Sequence, residues 1–474
     1  MDSNQADDLS LEKVLGDMHP YRQKLTTYDR LPPNGRDREE LLAELSAIAA
    51  QEDQVWESGQ VSGTIYHGGK QHYAFLNKVF SLFSHMNLLQ RDMCPSGTKF
   101  EGEIISMVAN VLNAPAVKQH NPQDEVCGVV TSGGSDSIQC AMLVYRDWAR
   151  AEKGVTQPEM VAPATIHPAF EKGAHYFGIK LVRVPVAEDY RAGVAAMRAQ
   201  INPNTIAIAG SAGNYPHGII DPLEELSDLA LEHGIGFHVD GCLGGFILPW
   251  IEKLGYPVPL FDFRLPGVTS MSCDTHKWGY ALKGTSVVLY RNHKLRRYQF
   301  YTTSEWAGGM YISPTFQGSR SAGLSAAAWA AMVAIGEEGY LETTRGIMAA
   351  ADKIRLGIAS IPEIKVIGDT TFVIGMTSDV VDIYHVNDYL RMKGWRMNGL
   401  QSPPGFHFCV TLPQSQPGIA ERFVADLRDG VAYAKDPPRP APVSGAVYGL
   451  ASSLPGQMML KEMLLYVLDE MYAL

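Results

Sequence analysis

Three short stretches carry residue types able to hold an anion, a protonated ring and an aldehyde. Residues 131–137 read TSGGSDS, a Gly pair (Gly133, Gly134) that follows a candidate strand and opens a helical segment running to about Arg150. Backbone N–H groups and the dipole at such a helix start attract a phosphate, to which Ser132 and Ser135 could add hydroxyl donors. A tight turn capped by Ser or Asp explains the same residues, and the spacings of a Walker loop or a dinucleotide fingerprint are absent. Asp240 closes the run IGFHVD, which puts a carboxylate at the carboxyl end of a central strand. Buried there it is costly unless it meets a cation, such as a protonated ring nitrogen. Capping of the next helix near Gly244 is the plainer alternative. Lys277 stands in SMSCDTHKWGYALKG, just past another strand, with His276 before it and Lys283 six residues on. A lysine beside cationic or desolvating neighbours loses its proton more readily and attacks aldehydes, although most loop lysines are merely solvated.

Each stretch is weak alone, and the three together are stronger. A phosphate cradle, an acid at a later strand end and a lysine 37 residues beyond that acid are the anchors a pyridoxal 5′-phosphate enzyme needs. His167, after the strand run ending at Ile166, belongs to the same rim, where an imidazole could stack on a flat ring or shuttle a proton. His217, His233 and His238 fall in turns or on helix and strand faces and are given no role. Trp148, Trp278 and Trp329 read as packing residues.

The elements that must position these residues follow α/β grammar. From about Val61 to Tyr290, short β-branched runs alternate with amphipathic segments, predicting strands at 128–131, 160–166, 180–186, 205–209, 236–240 and 268–273, with helices such as 222–233 between them. This implies a mostly parallel, doubly wound sheet with ligands at the carboxyl ends of its strands. Residues 1–60 read as an N-terminal arm with a helix over 38–50, 61–336 as the large domain and 337–474 as a smaller α+β domain. In the small domain, strands are predicted at 365–367, 371–376 and 406–412, and helices at 381–393, 418–435 and 458–472.

Composition limits the functional classes. The 474 residues carry 40 Lys and Arg against 51 Asp and Glu, a net charge of −11 with no basic block, which argues against nucleic-acid or anionic-membrane coating. Six scattered cysteines form no CxxC pair, so neither a disulfide scaffold nor a structural zinc is indicated and a cytoplasmic location is expected. The start, MDSNQADDLS, is unlike a signal peptide. No apolar run approaches the roughly 20 residues of a membrane span; the densest, Leu324 to Ile335, reads as a buried Ala-rich helix.

With these residues in view, the sequence resembles the sphingosine-1-phosphate lyase family. TSGGSDS, TIHPAFEKGAHYFG, GSAGNYPHGIIDP, HVDGCLGGF, CDTHKWGYALKGTSVVLY, GMYISPTFQGSR and GAVYGLA carry the likeness, which covers nearly all of Val61 to Tyr472. The lysine motif alone indicates only the wider group of pyridoxal-phosphate decarboxylases and lyases. The resemblance implies a fold type I enzyme in which Lys277 binds the cofactor aldehyde, Asp240 holds the ring-nitrogen proton and His167 stacks on the ring. Gly133, Gly134 and Ser135 would cradle the phosphate with His276 nearby, and Ser211 and Cys242 would line the cofactor. It further implies a homodimer with shared sites, Tyr66 and Asn87 coming from the partner chain. Lys283 and Tyr448 match positions for substrate phosphate and catalysis. The membrane-spanning N-terminus of animal members has no counterpart here, so a soluble protein is expected.

Several positions depart from the family. Asn87, Leu88, Leu89 and Gln90 stand where members carry Asn-Pro-Leu-His, turning a phosphate-binding histidine into a neutral amide. Gly241, Trp278 and Leu282 replace a common Ala, Tyr and Pro. The implied reaction is a retro-aldol cleavage of a phosphorylated sphingoid base to a long-chain aldehyde and phosphoethanolamine, with Tyr448, Lys283 and Lys277 as candidate bases. An amino-acid decarboxylase using the same cofactor is the alternative, and a non-catalytic cofactor-binding protein the third.

Overall fold

The computed structural model describes residues 18–445 and 454–473, the side chains of 454–459 excepted. The chain divides into two compact units, residues 65–349 with 367–374, and residues up to 64 with 350–366 and 375 onward.

The first unit is built on a seven-stranded sheet. Its strands are β1 (Cys127–Thr131), β2 (Glu159–Pro163), β3 (Lys180–Val184), β4 (Thr205–Ser211), β5 (Gly236–Asp240), β6 (Ser270–Cys273) and β7 (Ser286–Tyr290). Their spatial order is β1-β7-β6-β5-β4-β2-β3. The pairs from β3 through β2, β4 and β5 to β6 are parallel, whereas β7 runs antiparallel to both β6 and β1. Every residue of β1, β4, β5, β6 and β7 is buried. A sheet covered on both faces explains why these strands read as continuous apolar runs without alternation. Helices Gly134–Lys153, Ala169–Phe177 and Leu223–His233 connect them. The first of these ends at Gly154 and the third at Gly234, whose φ of +69° and +60° suit glycine at a helix C-terminus.

Differences from the sequence expectations have local causes. β2 stops at Pro163, and β3 stops before Pro185, which has no N–H to continue a ladder. β4 runs two residues further than expected, to Ser211. β7 was not anticipated: SVVLY is a short apolar run bounded by Gly284 and Asn292, and such a run carries no period of its own. The hairpin of β8 (Tyr301–Trp306) and β9 (Gly309–Ser313) was likewise unforeseen, although Gly308 and Gly309 mark its turn. The helical run Ala322–Ala359 contains the expected Ala-rich segment and breaks at Gly336, where φ is +64°.

The second unit contains β10 (Lys365–Val366), β12 (Asn398–Gln401) and β13 (Pro404–Cys409), in a four-stranded sheet ordered β10-β11-β13-β12 whose remaining strand is β11 (Val373–Thr377). Helices Ile383–Met392, Ile419–Lys435 and Leu454–Met471 accompany it. Helix Arg38–Glu57, capped by the Asp37 carboxylate, leads into a segment hydrogen-bonded in the same unit, with Ser62 Oγ accepting from Cys409 N–H and donating to His407 O. Among the described residues, no helix is long and apolar enough to cross a membrane.

Candidate active site

The carboxyl ends of β4, β5 and β6 and the start of helix Gly134–Lys153 bring most of the candidate residues together. A short hydroxyl chain fixes that helix start. Thr131 Oγ1 lies 2.6 Å from Ser137 Oγ, Ser137 Oγ lies 2.9 Å from Ser286 Oγ, and Ser286 donates to Cys273 O. The helix entry is therefore tied to β7 and β6 as well as to β1. Ser132 spends its donors locally, its N–H and hydroxyl both donating to Asp136 Oδ2 at 2.8 and 2.9 Å. Gly134 has no room for a side chain: a Cβ there would lie 2.7 Å from Cys242 Sγ and 2.8 Å from both Asp274 carboxylate oxygens. Across the turn, His276 Cε1 faces Gly133, and Ser135 is exposed beside it.

Lys277 reaches back into this corner. Its Nζ pairs with Asp274 Oδ2 at 2.7 Å, and His276 Nε2 lies 3.6 Å from the same oxygen. Burial pulls the Lys277 ammonium down, but Asp274 first, then Cys242 and Asp240, outweigh it and hold its pKa above the usual lysine value. Burial pushes the Asp274 carboxyl up, and Lys277 with His276 more than reverse this. An ammonium held this way is a poor nucleophile, so reactivity at Lys277 requires its release from Asp274. Asp274 lies within the lysine motif, where residue type alone gives it no role. Its position three residues before Lys277, in a turn after a buried strand, is the signal that could have found it.

Asp240 ends β5, 7% exposed, with Oδ1 accepting from Cys242 N–H at 3.0 Å and from Ser272 Oγ at 3.2 Å. Cys242 is buried beside it, its thiol 3.1 Å from Ser272 Oγ and pushed well up by burial and by the Asp240 and Asp274 charges. Ser211 lies opposite Asp240 in the β4–β5 register, its N–H held by Asp221 Oδ2 at 2.7 Å. His167 sits at the end of the β2 segment with Nδ1 accepting from Ala169 N–H at 3.1 Å, and its ring meets Tyr215 edge-on at 6.4 Å.

Lys283 lies on the open side. Its Nζ donates to His276 O at 3.1 Å and stands 4.7 Å from the centre of the Tyr66 ring. Lost hydration and repulsion by Lys277 push the ammonium down to about 8, although its side chain still reaches solvent. Tyr66, assigned by resemblance to a second copy, is thus a neighbour of its own chain's Lys283, and its ring meets Trp278 edge-on at 4.6 Å. Asn87 does not join the lysine cluster. Its Nδ2 donates to Ser319 Oγ and its Oδ1 accepts from Leu89 N–H, stapling its loop to residues 319–321. Tyr448 lies outside the described residues.

The profile of the pyridoxal-dependent decarboxylase conserved domain matches residues 21–374. The Arabidopsis thaliana protein named sphingosine-1-phosphate lyase is 47% identical over 428 residues, covering 89% of this chain and 77% of the relative. A solved sphingosine-1-phosphate lyase of Burkholderia pseudomallei superposes with a TM-score of 0.87 at 48% identity, covering 88% of this chain and 95% of the other. Glutamate decarboxylase of Lactobacillus brevis, at 21% identity and a TM-score of 0.72, shares the fold over 89% of this chain and 98% of its own. The chain therefore belongs to the pyridoxal-dependent decarboxylase family, among its sphingosine-1-phosphate lyases.

Proposed function

We propose that this protein cleaves sphingosine 1-phosphate to a long-chain aldehyde and phosphoethanolamine. The observation that carries this reading is the second cation: Lys283 stands at the open side of the Lys277 site with His276 between them. A phosphate dianion needs such charge, whereas an amino-acid carboxylate needs one partner. The reaction breaks the C2–C3 bond, passes the C3 hydroxyl proton to a base and returns one proton to C2, so no oxidant or water is consumed.

The cofactor is pyridoxal 5′-phosphate, which when bound supplies the electron sink that lets a carbanion form at C2. The residues present fit it. The cradle at Gly133, Gly134 and Ser135 offers a helix N-terminus where a side chain at Gly134 would collide with Cys242 and Asp274. Among the described residues the Asp240 side chain takes its hydrogen bonds on Oδ1, from Cys242 N–H and Ser272 Oγ, and Oδ2 would take a ring N–H. Lys277 would bind the aldehyde carbon once freed from Asp274. His167 would pack on the ring and Ser211 and Cys242 would line its sides. Lys283 and Tyr66 would meet the substrate phosphate, and Tyr448 or Lys283 would take the C3 hydroxyl proton.

The assembly we infer is a homodimer in which the Asn87 loop is offered to the other copy's site. Exposed apolar side chains on the β8–β9 hairpin, Trp306, Met310 and Ile312 at 59%, 87% and 69%, support a protein-covered surface. Six free, buried cysteines support a reducing, cytoplasmic setting.

The test is incubation of the cofactor-loaded protein with sphingosine 1-phosphate, with mass spectrometry for both products and carbon dioxide release from amino acids followed alongside. Equal amounts of aldehyde and phosphoethanolamine are expected. Carbon dioxide without aldehyde would move the function to decarboxylation.

A further inference from the structure

Behind Asp240 lies a row of polar side chains that the sheet does not need. β5 and β6 are parallel neighbours in the register His238 with Ser270 and Asp240 with Ser272. Residues two apart share a face, so these four side chains line up across two adjacent strands. His238, Ser270 and Ser272 have no exposed surface. His238 Nδ1 lies 2.7 Å from Ser270 Oγ, His238 Nε2 lies 3.3 Å from Ser272 Oγ, and Ser272 Oγ donates to Asp240 Oδ1 at 3.2 Å. At the far end, Ser270 Oγ meets Tyr145 OH at 2.5 Å, and the phenol also meets Thr269 Oγ1 at 2.8 Å.

The polarity of this row is constrained. Burial pushes the His238 imidazole down to about 4, against the upward pull of Asp240, so the ring is neutral and carries one N–H and one lone pair. A carboxylate can only accept, so Ser272 donates to Asp240; the tautomer that completes the row then has Nε2–H donating to Ser272 and Nδ1 accepting from Ser270. Buried strands of this kind are ordinarily filled with apolar side chains, and each buried polar group is costly unless satisfied. With the proton on Nε2 the donors of the row run toward one carboxylate, and the Cys242 thiol joins them by donating to Ser272 Oγ at 3.1 Å.

We propose that Ser272 and His238 are positioning residues for Asp240: the row Tyr145–Ser270–His238–Ser272 delivers a hydrogen bond to Oδ1, fixing the rotation at which the carboxylate meets a protonated ring nitrogen. The inference rests on the reading of Asp240 as the ring-nitrogen partner. It goes beyond that reading in assigning the tuning of Asp240 to two residues that touch neither cofactor nor substrate. A polar cluster that only ties β5 to β6 is the competing account, and it predicts no dependence on Asp240.

The experiment is a thermodynamic cycle on cofactor affinity. Cofactor-free wild type, Ser272→Ala, Asp240→Asn and the double variant are titrated with pyridoxal phosphate and with its analogue carrying C–H in place of the ring nitrogen. Loss of one hydrogen bond to a charged group predicts about tenfold weaker pyridoxal-phosphate binding by Ser272→Ala. That loss should vanish in the Asp240→Asn background and with the analogue. His238→Gln, which keeps a donor near the Nε2 position, should bind more tightly than His238→Leu, and this pair decides the matter if Ser272→Ala does not fold. An unchanged affinity in Ser272→Ala, or an equal loss with and without Asp240, overturns the inference. Failure of the underlying reading is distinct: Asp240→Asn would then bind pyridoxal phosphate as tightly as wild type.

Discussion

At the scale of single residues, Lys283 carries a pH consequence. Its ammonium, pushed down to about 8, is charged below that value and lost as pH rises through it. If it holds the substrate phosphate, kcat/KM falls above about pH 8, and Lys283→Arg, which stays charged, removes that limb from the pH–rate profile. A profile unchanged by Lys283→Arg takes Lys283 off the phosphate. Asp240→Asn is expected to leave the fold intact, by circular dichroism, while lowering kcat severely, because a neutral amide cannot hold a ring-nitrogen proton by charge. The motif residues at strand ends, Gly133, Gly134, Asp240, His276 and Lys277, were legible as a group because each follows an apolar run within a few positions. Asp274, Ser272 and His238 were not. Their importance comes from what lies across the strand register or one turn away, and a single sequence does not display that pairing.

At the scale of elements, the crowding at the start of helix Gly134–Lys153 makes Gly134→Ala a direct probe of the cradle. The added methyl would press on Cys242 Sγ and the Asp274 carboxylate, so cofactor content measured by absorbance should fall while helix content stays near that of wild type. Asp221 provides a second probe through stability. Fully buried, it accepts from Ser211 N–H at the end of β4 and from Ala192 N–H, and burial raises its pKa to about 6 from 3.8. A group whose pKa is raised on folding stabilises most at low pH. Its contribution is full below about 3.8 and lost as pH rises through 6, a swing of about 3 kcal/mol. Denaturant unfolding of wild type and Asp221→Asn at pH 4 and pH 7 should show that difference, and parallel behaviour of the two proteins would contradict it. The alternating α/β elements were legible because long periodic segments announce themselves. β7 and the β8–β9 hairpin were not: a five-residue buried run has no period, and an exposed hairpin is specified by its turn and by what covers it.

At the scale of the whole molecule, the order of the seven-stranded sheet sets the carboxyl ends of β4, β5 and β6 side by side, the edge at which an α/β sheet holds its ligands. If the Asn87 loop serves a second copy, mixing a Lys277→Ala chain with an Asn87→Ala chain should restore activity in heterodimers that neither parent shows. No recovery from proven heterodimers would confine each site to one chain. The most direct test of the central claim is cleavage of sphingosine 1-phosphate in deuterium oxide by wild type and Lys277→Ala. Wild type should give long-chain aldehyde together with phosphoethanolamine bearing one carbon-bound deuterium at the former C2, and Lys277→Ala should give neither product. Aldehyde formation that persists without Lys277, or phosphoethanolamine without that deuterium, would contradict the account.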